Sequence, residues 1–259
     1  MEEKTDLKYS YEALAGMLDH SLLQPTMTDA DLEAGCAIAA KYRVASVCIK
    51  PYAVKKAVAL LAGTGVAVGT VIGFPHGGNT TEVKRIETQV ACREGATEID
   101  MVINIGKAPS GDWDYVEQDI RAVVEEAHAQ GAIVKVIFEN DFMPDDAIKV
   151  KLCEVCEKVN ADFVKTSTGY GFVKGGDGKY SYQGATEHDL ALMRATCSPK
   201  VQVKAAGGVR DLDALIRCRD LGVSRVGATA SAPMLEEYLR RTAEGEVEGK
   251  STQLGTGGY

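Results

Sequence analysis

Short apolar runs alternate with helix-like stretches eight times along this chain, and no other feature constrains its fold as strongly. The predicted strands are Gly16 to His20, Val44 to Ile49, Val66 to Ile72, Glu98 to Ile103, Ile133 to Phe138, a run ending at Lys165, a run carrying Lys204, and the short Arg225 to Gly227. Helix starts are marked between them. Thr28 with Asp31, Asn79 with Glu82 and Thr186 with Asp189 have N-cap spacing, and Pro51, Pro144 and Pro233 stand at or before other openings. Gly131 stops the helix predicted over Asp114 to Gln130, and Asp211 to Leu221 forms another. Strands that alternate with helices imply a parallel sheet with right-handed crossovers. Eight such units fit an α/β (β/α)8 TIM barrel. A doubly wound open sheet is the alternative, but no G-x-G-x-x-G follows the first strand.

No shift of composition marks a linker, so the 259 residues are expected to form one domain. A short helix over residues 1–15 leads, the barrel runs from about 16 to 242, and a polar, glycine-rich, flexible tail covers about 243 to 259. A formal charge of −8 argues against nucleic acid as partner, while leaving room for a local basic pocket. The polar start is no secretory signal and no apolar run is long enough to span a membrane, so a cytoplasmic protein is expected. Seven scattered cysteines suit a reducing compartment. Cys153 and Cys156 form a C-x-x-C inside a helical pattern, and the four histidines make no ligand pair, so no metal and no cofactor are expected.

In such a barrel chemistry gathers at the carboxyl ends of the strands. The polar residues there are Asp19, His76, Asp100, Glu139, Lys165 and Lys204. Strand alternation puts Glu98 with Asp100, and Lys135 with Glu139, on shared inward faces. A single buried strand lysine is ordinarily an ion-pair partner. Two lysines at matching heights on the sixth and seventh strands are less easily explained by packing. Two ammonium groups that crowd each other lower one pKa, and a neutral amine can attack a carbonyl to form a Schiff base. Lys165 is then the nucleophile, Lys204 the group that tunes it, and Asp100 the proton carrier. Gly207, Gly208 and Arg210 after the seventh strand, with Gly227 and Thr229 around the end of the eighth, have the composition of a phosphate pocket.

These residues carry a resemblance. LDHSLL, SVCIKP, GFPHG, GATEIDMVINIG, KVIFE, ADFVKTSTG, KAAGGVR and RVGA, spread from Leu18 to Leu239, resemble the deoxyribose-phosphate aldolases. The resemblance implies a (β/α)8 class I aldolase that reversibly cleaves 2-deoxy-D-ribose 5-phosphate to D-glyceraldehyde 3-phosphate and acetaldehyde. It implies that Lys165 forms the Schiff base, that Lys204 perturbs its pKa and that Asp100 is the acid/base group. Gly169, Gly207, Gly208 and Gly227 would contact phosphate through the backbone, Ser21 and Cys48 would lie near the substrate, and Tyr259 would assist proton transfer from the tail. The partners expected are small phosphorylated sugars and aldehydes, with a homo-oligomer, a dimer first, as the assembly. The alternatives are a Schiff-base aldolase for another phosphorylated sugar or aldehyde, and a non-catalytic phosphosugar-binding barrel.

The chain departs from the family pattern in four places. KAAGG stands for KASGG or KPAGG, Glu139-Asn140 for Glu-Thr, and Thr229-Ala230 where two serines are common. The stretch Tyr170 to Gly184 is longer than expected, and its Lys174 and Lys179 are further candidates for reaching phosphate.

Overall fold

The computed structural model describes residues 8–244 and Leu254. Eight parallel strands close into a barrel: β1 (Leu18–Leu22), β2 (Ser46–Ile49), β3 (Ala67–Ile72), β4 (Glu98–Val102), β5 (Ile133–Ile137), β6 (Phe163–Lys165), β9 (Gln202–Ala206) and β10 (Arg225–Ala228), with β10 pairing back onto β1. The expected barrel is therefore the observed architecture. Two further strands, β7 (Val173–Lys174) and β8 (Tyr180–Ser181), form a separate antiparallel hairpin between β6 and β9. The sequence did not announce it, because its two-residue strands are too short to show alternation.

Helices follow the strands on the outside: α2 (Asp29–Tyr42), α3 (Val54–Leu60), α4 (Thr81–Arg93), α5 (Trp113–Ala129), α6 (Asp146–Lys158), α7 (Glu187–Thr196), α8 (Leu212–Asp220) and α9 (Ser231–Glu244), with the short α1 (Tyr11–Ala15) ahead of β1. Their starts follow from local chemistry. Thr28 and Asp31 cap α2 reciprocally, the Asp31 carboxylate accepting from Thr28 N–H at 2.8 Å. Thr186 accepts from Asp189 N–H at the head of α7. Several boundaries differ from expectation by a residue or two. The cap of α4 is Thr80, not Asn79, since the hydroxyl of Thr80 accepts from Val83 N–H. The first strand starts at Leu18 because Gly16 closes α1. The last helix starts at Ser231, ahead of Pro233. That helix also runs to Glu244, past the boundary set for the tail. Residues 1–7 and most of the tail, Tyr259 included, lie outside the described residues.

Outward-facing strand residues such as Ile99, Met101, Val134, Val136 and Val203 join helix residues such as Ile120, Val123, Leu152, Leu190 and Leu215 in one continuous core. Each such side chain, fully buried, contributes roughly 1.5–3 kcal/mol. Between α4 and α5 an ionic clasp lies inside that core. Lys84 and Asp119, neither of them solvent-exposed, meet at 2.5 Å, and the Lys84 ammonium also donates to Val102 O at 2.9 Å. This outer layer leaves the inward faces of the strands free to carry charge.

Candidate active site

Strand register sets the site. Lys165 on β6 pairs with Lys204 on β9, and Asp100 on β4 pairs with Lys135 on β5, so these side chains enter the barrel at neighbouring levels. Two positions without bulk make room for them. Gly69 on β3 lies beside Glu98, and Gly227 on β10 lies beside Lys204, so a Cβ at either would stand 3.3 Å from Glu98 Cβ or 3.5 Å from Lys204 Cε. Inside, Asp100 Oδ2 accepts from Lys165 Nζ at 2.7 Å and from Lys204 Nζ at 2.6 Å, while Oδ1 accepts from Lys135 Nζ at 3.0 Å. Below it, Asp19 bridges Lys204 at 2.5 Å and Lys135 at 3.3 Å. Arg225 closes the layer, with Nε 2.7 Å from Asp19 Oδ1 and Nη2 2.6 Å from Glu98 Oε2. All but Arg225 are buried. Four cations thus share three carboxylates, and every ion pair is also a hydrogen bond or lies beside one, which is what keeps so many buried charges tolerable.

The protonation state differs from the sequence-based expectation. Burial drives the Lys165 pKa down, but the Asp100 carboxylate outweighs it and the net direction is up. Crowding by Lys204 was expected to make Lys165 the more neutral partner, but a shared carboxylate stands between the two ammonium groups. Asp100 itself is held well below the usual carboxylate range: burial opposes ionisation, and the three lysines override it. Lys165 is thus an ammonium ion hydrogen-bonded to the base that can deprotonate it.

Ser21 and Cys48 are register partners on β1 and β2, on the inward faces above Asp19 and Ser46. Burial pushes the Cys48 thiol up to about 11, and the Asp100 charge adds to it, so Cys48 is a neutral wall. With Leu23, Val71, Phe74 and Tyr170 it forms a small apolar cluster apart from the main core. The hydroxyls of Ser21 and Ser167 are buried with no hydrogen-bond partner among the described residues. Ser167 is not among the site residues expected from the sequence, since nothing in KTSTG distinguishes its hydroxyls by direction. His20 faces outward, hydrogen-bonded to Ser231 at 3.0 Å, and burial lowers it to about 4, leaving a neutral imidazole.

A cavity of about 340 Å³ opens beside this layer. Gly207, Gly208, Arg210, Gly227 and Thr229 all line it, so five of the expected phosphate residues come together. Gly169 is not among its lining residues; it sits in a left-handed turn, φ 93°, at the end of KTSTG. The head of α9 follows directly, and a helix start favours an anion. Lys174 is exposed on the hairpin and Lys179 on its turn, and neither lines the cavity.

Glu139, two residues past the end of β5, holds a left-handed conformation, φ 57°, unusual for a residue with a Cβ. Its buried carboxylate accepts from Thr168 N–H at 3.1 Å and from the Thr168 hydroxyl. Burial raises its pKa to about 7, and the bonds from Thr168 restrain the rise only in part. In the unfolded chain Glu139 ionises near 4.5, so the folded form holds the extra proton between these values, and the stability it contributes is lost as pH rises from about 4.5 through about 7. Glu139→Gln keeps the shape and removes the titration. Relative to wild type its unfolding free energy is expected to climb by up to about 3 kcal/mol across that window. Parallel denaturant curves from pH 4.5 to 8 would check this, and a constant difference would show that Glu139 does not titrate there.

Among the described residues, Asp146, His188 and Asp189 bring three ligand-type atoms within 4.8 Å of one another. The Lys149 ammonium already occupies the cation position, 2.6 Å from Asp189 Oδ1 and 3.2 Å from Asp146 Oδ1. All seven cysteines are unpaired.

A family model described as DeoC/LacD family aldolase matches residues 13–228, from α1 to the end of β10. The chain belongs to the DeoC/LacD family of aldolases. This DeoC/LacD aldolase is 49% identical over 251 residues to a deoxyribose-phosphate aldolase of Rhodopirellula baltica, covering 97% of the chain and 99% of that protein. It is 46% identical over 225 residues to a deoxyribose-phosphate aldolase of Clostridium perfringens, covering 87% and 95%. Among solved structures, the tetrameric deoxyribose phosphate aldolase of Aeropyrum pernix superposes with a TM-score of 0.78 at 30% identity, covering 89% of this chain and 92% of that one. No helix among the described residues of the DeoC/LacD aldolase is long and apolar enough to cross a membrane.

Proposed function

We propose that the chain is a class I aldolase that reversibly cleaves 2-deoxy-D-ribose 5-phosphate to D-glyceraldehyde 3-phosphate and acetaldehyde, with Lys165 as the Schiff-base lysine. The observation that carries this reading is the single Asp100 oxygen shared by Lys165 at 2.7 Å and Lys204 at 2.6 Å. A base is thereby in hydrogen-bond contact with the amine it must deprotonate, and a second cation remains to hold the charge.

The reaction follows from that arrangement. As the open-chain aldehyde enters, Asp100 takes a proton from Lys165, and the neutral amine attacks C1. The carbinolamine oxygen receives a proton and leaves as water, giving the iminium. Asp100 then takes the C3 hydroxyl proton as the C2–C3 bond breaks, the electrons of that bond flow into the iminium, and glyceraldehyde 3-phosphate departs. The enamine is protonated at C2 and water hydrolyses the resulting imine, releasing acetaldehyde and restoring Lys165. Lys204, bridged by Asp19 and Asp100, opposes a return of the proton to Lys165. Ser21 and Cys48 shape the small acetaldehyde side, and Gly207, Gly208, Gly227, Arg210 and Thr229 take the phosphate. Gly169 contributes through the KTSTG turn, and Tyr259 serves the enamine proton transfer from outside the described residues. We place the protein in the cytoplasm, as one barrel domain with a tail, assembled as a homodimer.

Incubation with deoxyribose 5-phosphate is expected to release glyceraldehyde 3-phosphate, read by a coupled dehydrogenase, and to continue in the presence of a chelator. Absence of product with that sugar, alongside Lys165 adducts from another sugar phosphate, would transfer the assignment to a related aldolase.

A further inference from the structure

The hairpin β7–β8 has its own construction and a definite destination. Its turn closes through Gly175 N–H to Lys179 O at 2.8 Å, with the Asp177 carboxylate accepting from Lys179 N–H at 3.0 Å. Its returning stem is then tied down. Gln183 and Gly184 N–H donate to the two oxygens of Asp141 at 2.6 and 2.9 Å, and Ala185 N–H donates to Gly207 O at 3.0 Å. Gly207 lines the cavity that carries Arg210 and Thr229. The residue held against it is Tyr182. A Cβ on Gly207 would stand 2.0 Å from the Tyr182 hydroxyl, and a Cβ on Gly184 would stand 2.7 Å from Gly207 O, so both glycines are needed for this approach. The Tyr182 ring is buried and tilts against Phe172, from the outgoing side of the same hairpin, at 5.4 Å.

The cavity wall brings one side-chain cation, Arg210, and one side-chain hydroxyl, Thr229. A phosphate monoester presents three terminal oxygens, each able to accept more than one hydrogen bond. The Tyr182 phenol lies against Gly207, a residue of that cavity's wall, and is delivered by a stretch that no catalytic step uses.

We propose that Tyr182 is a specificity-determining residue, donating its hydroxyl proton in a hydrogen bond to the phosphate of the bound sugar, with the hairpin as the element that places it. This rests on the phosphosugar reading of the same site. Tyr182→Phe keeps the ring and its contact with Phe172 and removes only the donor. The KM for deoxyribose 5-phosphate is expected to rise about 10-fold, as for a lost hydrogen bond to a charged group, with kcat within about 2-fold. The KM for unphosphorylated 2-deoxyribose is expected to stay unchanged. An unchanged KM for the phosphorylated sugar, or an equal loss for both sugars, would overturn the proposal. Calorimetric titration with inorganic phosphate separates this from the activity itself. Weaker phosphate binding by the variant supports Tyr182 whichever sugar is cleaved, while equal binding, or none by the wild type, counts against it even if deoxyribose 5-phosphate is turned over.

Discussion

With Lys165 replaced by alanine, borohydride reduction in the presence of acetaldehyde is expected to leave the protein's mass unchanged, whereas the wild type gains one ethyl group on Lys165. Cleavage should fall by more than about 10⁴-fold, the scale seen when a covalent nucleophile is removed. Three buried lysines could be the nucleophile, and their partners decide among them. Lys135 is surrounded by Asp19, Glu98 and Asp100, and although burial works against its charge, these carboxylates drive its pKa far up. Lys204 lies between Asp19 and Asp100, at 2.5 and 2.6 Å. Lys165 has Asp100 alone as an ion-pair partner among the described residues. One proton transfer frees it, and it lies two residues further toward the carboxyl end of the barrel than the register partner of Lys135. The same geometry predicts that Lys165→Ala folds normally, because Asp100 retains Lys204 and Lys135. Mass spectrometry of the reduced protein and a thermal melt check both halves. An ethyl group found on Lys204 in the variant would sink the assignment.

Much of this site was legible because barrel strands obey a strict period of two. Once Asp100, Lys135, Lys165 and Lys204 were placed on strands, alternation and the barrel's polarity sent them to one interior. Arg225 was not legible as a member. It opens a short strand, and its partners Asp19 and Glu98 lie 206 and 127 residues away along the chain, so only closure of the barrel brings them together. The charge state of Lys165 was misjudged for a related reason. Two lysines at one height are visible from their strands, whereas a carboxylate inserted between them depends on side-chain reach across the barrel. The hairpin escaped because the glycines around its turn hide any periodicity, and Thr80 was missed by one residue since Asn79 and Thr80 are both good caps. Glu139 was visible as a strand end, but its left-handed backbone and its grip on Thr168 are properties of the β5–β6 junction.

Asp100→Asn is expected to make Schiff-base formation easier and turnover slower, opposite effects that a merely structural residue would not produce. The amide keeps the size of the carboxylate and can still accept from one ammonium, but the charge shared by Lys135, Lys165 and Lys204 is gone. Lys204 falls back on Asp19, and Lys135 on Asp19 and Glu98. Lys165 has no second carboxylate, so burial, the largest influence on it, now acts with the Lys135 charge and its pKa falls. In the wild type the raised pKa stabilises the fold at low pH, and that contribution is lost as pH rises through the folded value; the variant lacks it throughout. The pH midpoint for borohydride trapping should therefore drop by about one unit or more, and trapping at pH 7 should quicken. Turnover should fall by about 10²–10⁴-fold, because no carboxylate remains to take the C3 hydroxyl proton as the C2–C3 bond breaks. Stability should fall by about 3–5 kcal/mol, the cost of leaving buried ammonium groups short of a partner. Trapping and cleavage measured on one protein sample across pH separate the two roles. An unshifted trapping midpoint would mean that Asp100 does not hold the Lys165 proton, and undiminished cleavage would mean that some other group takes the C3 hydroxyl proton.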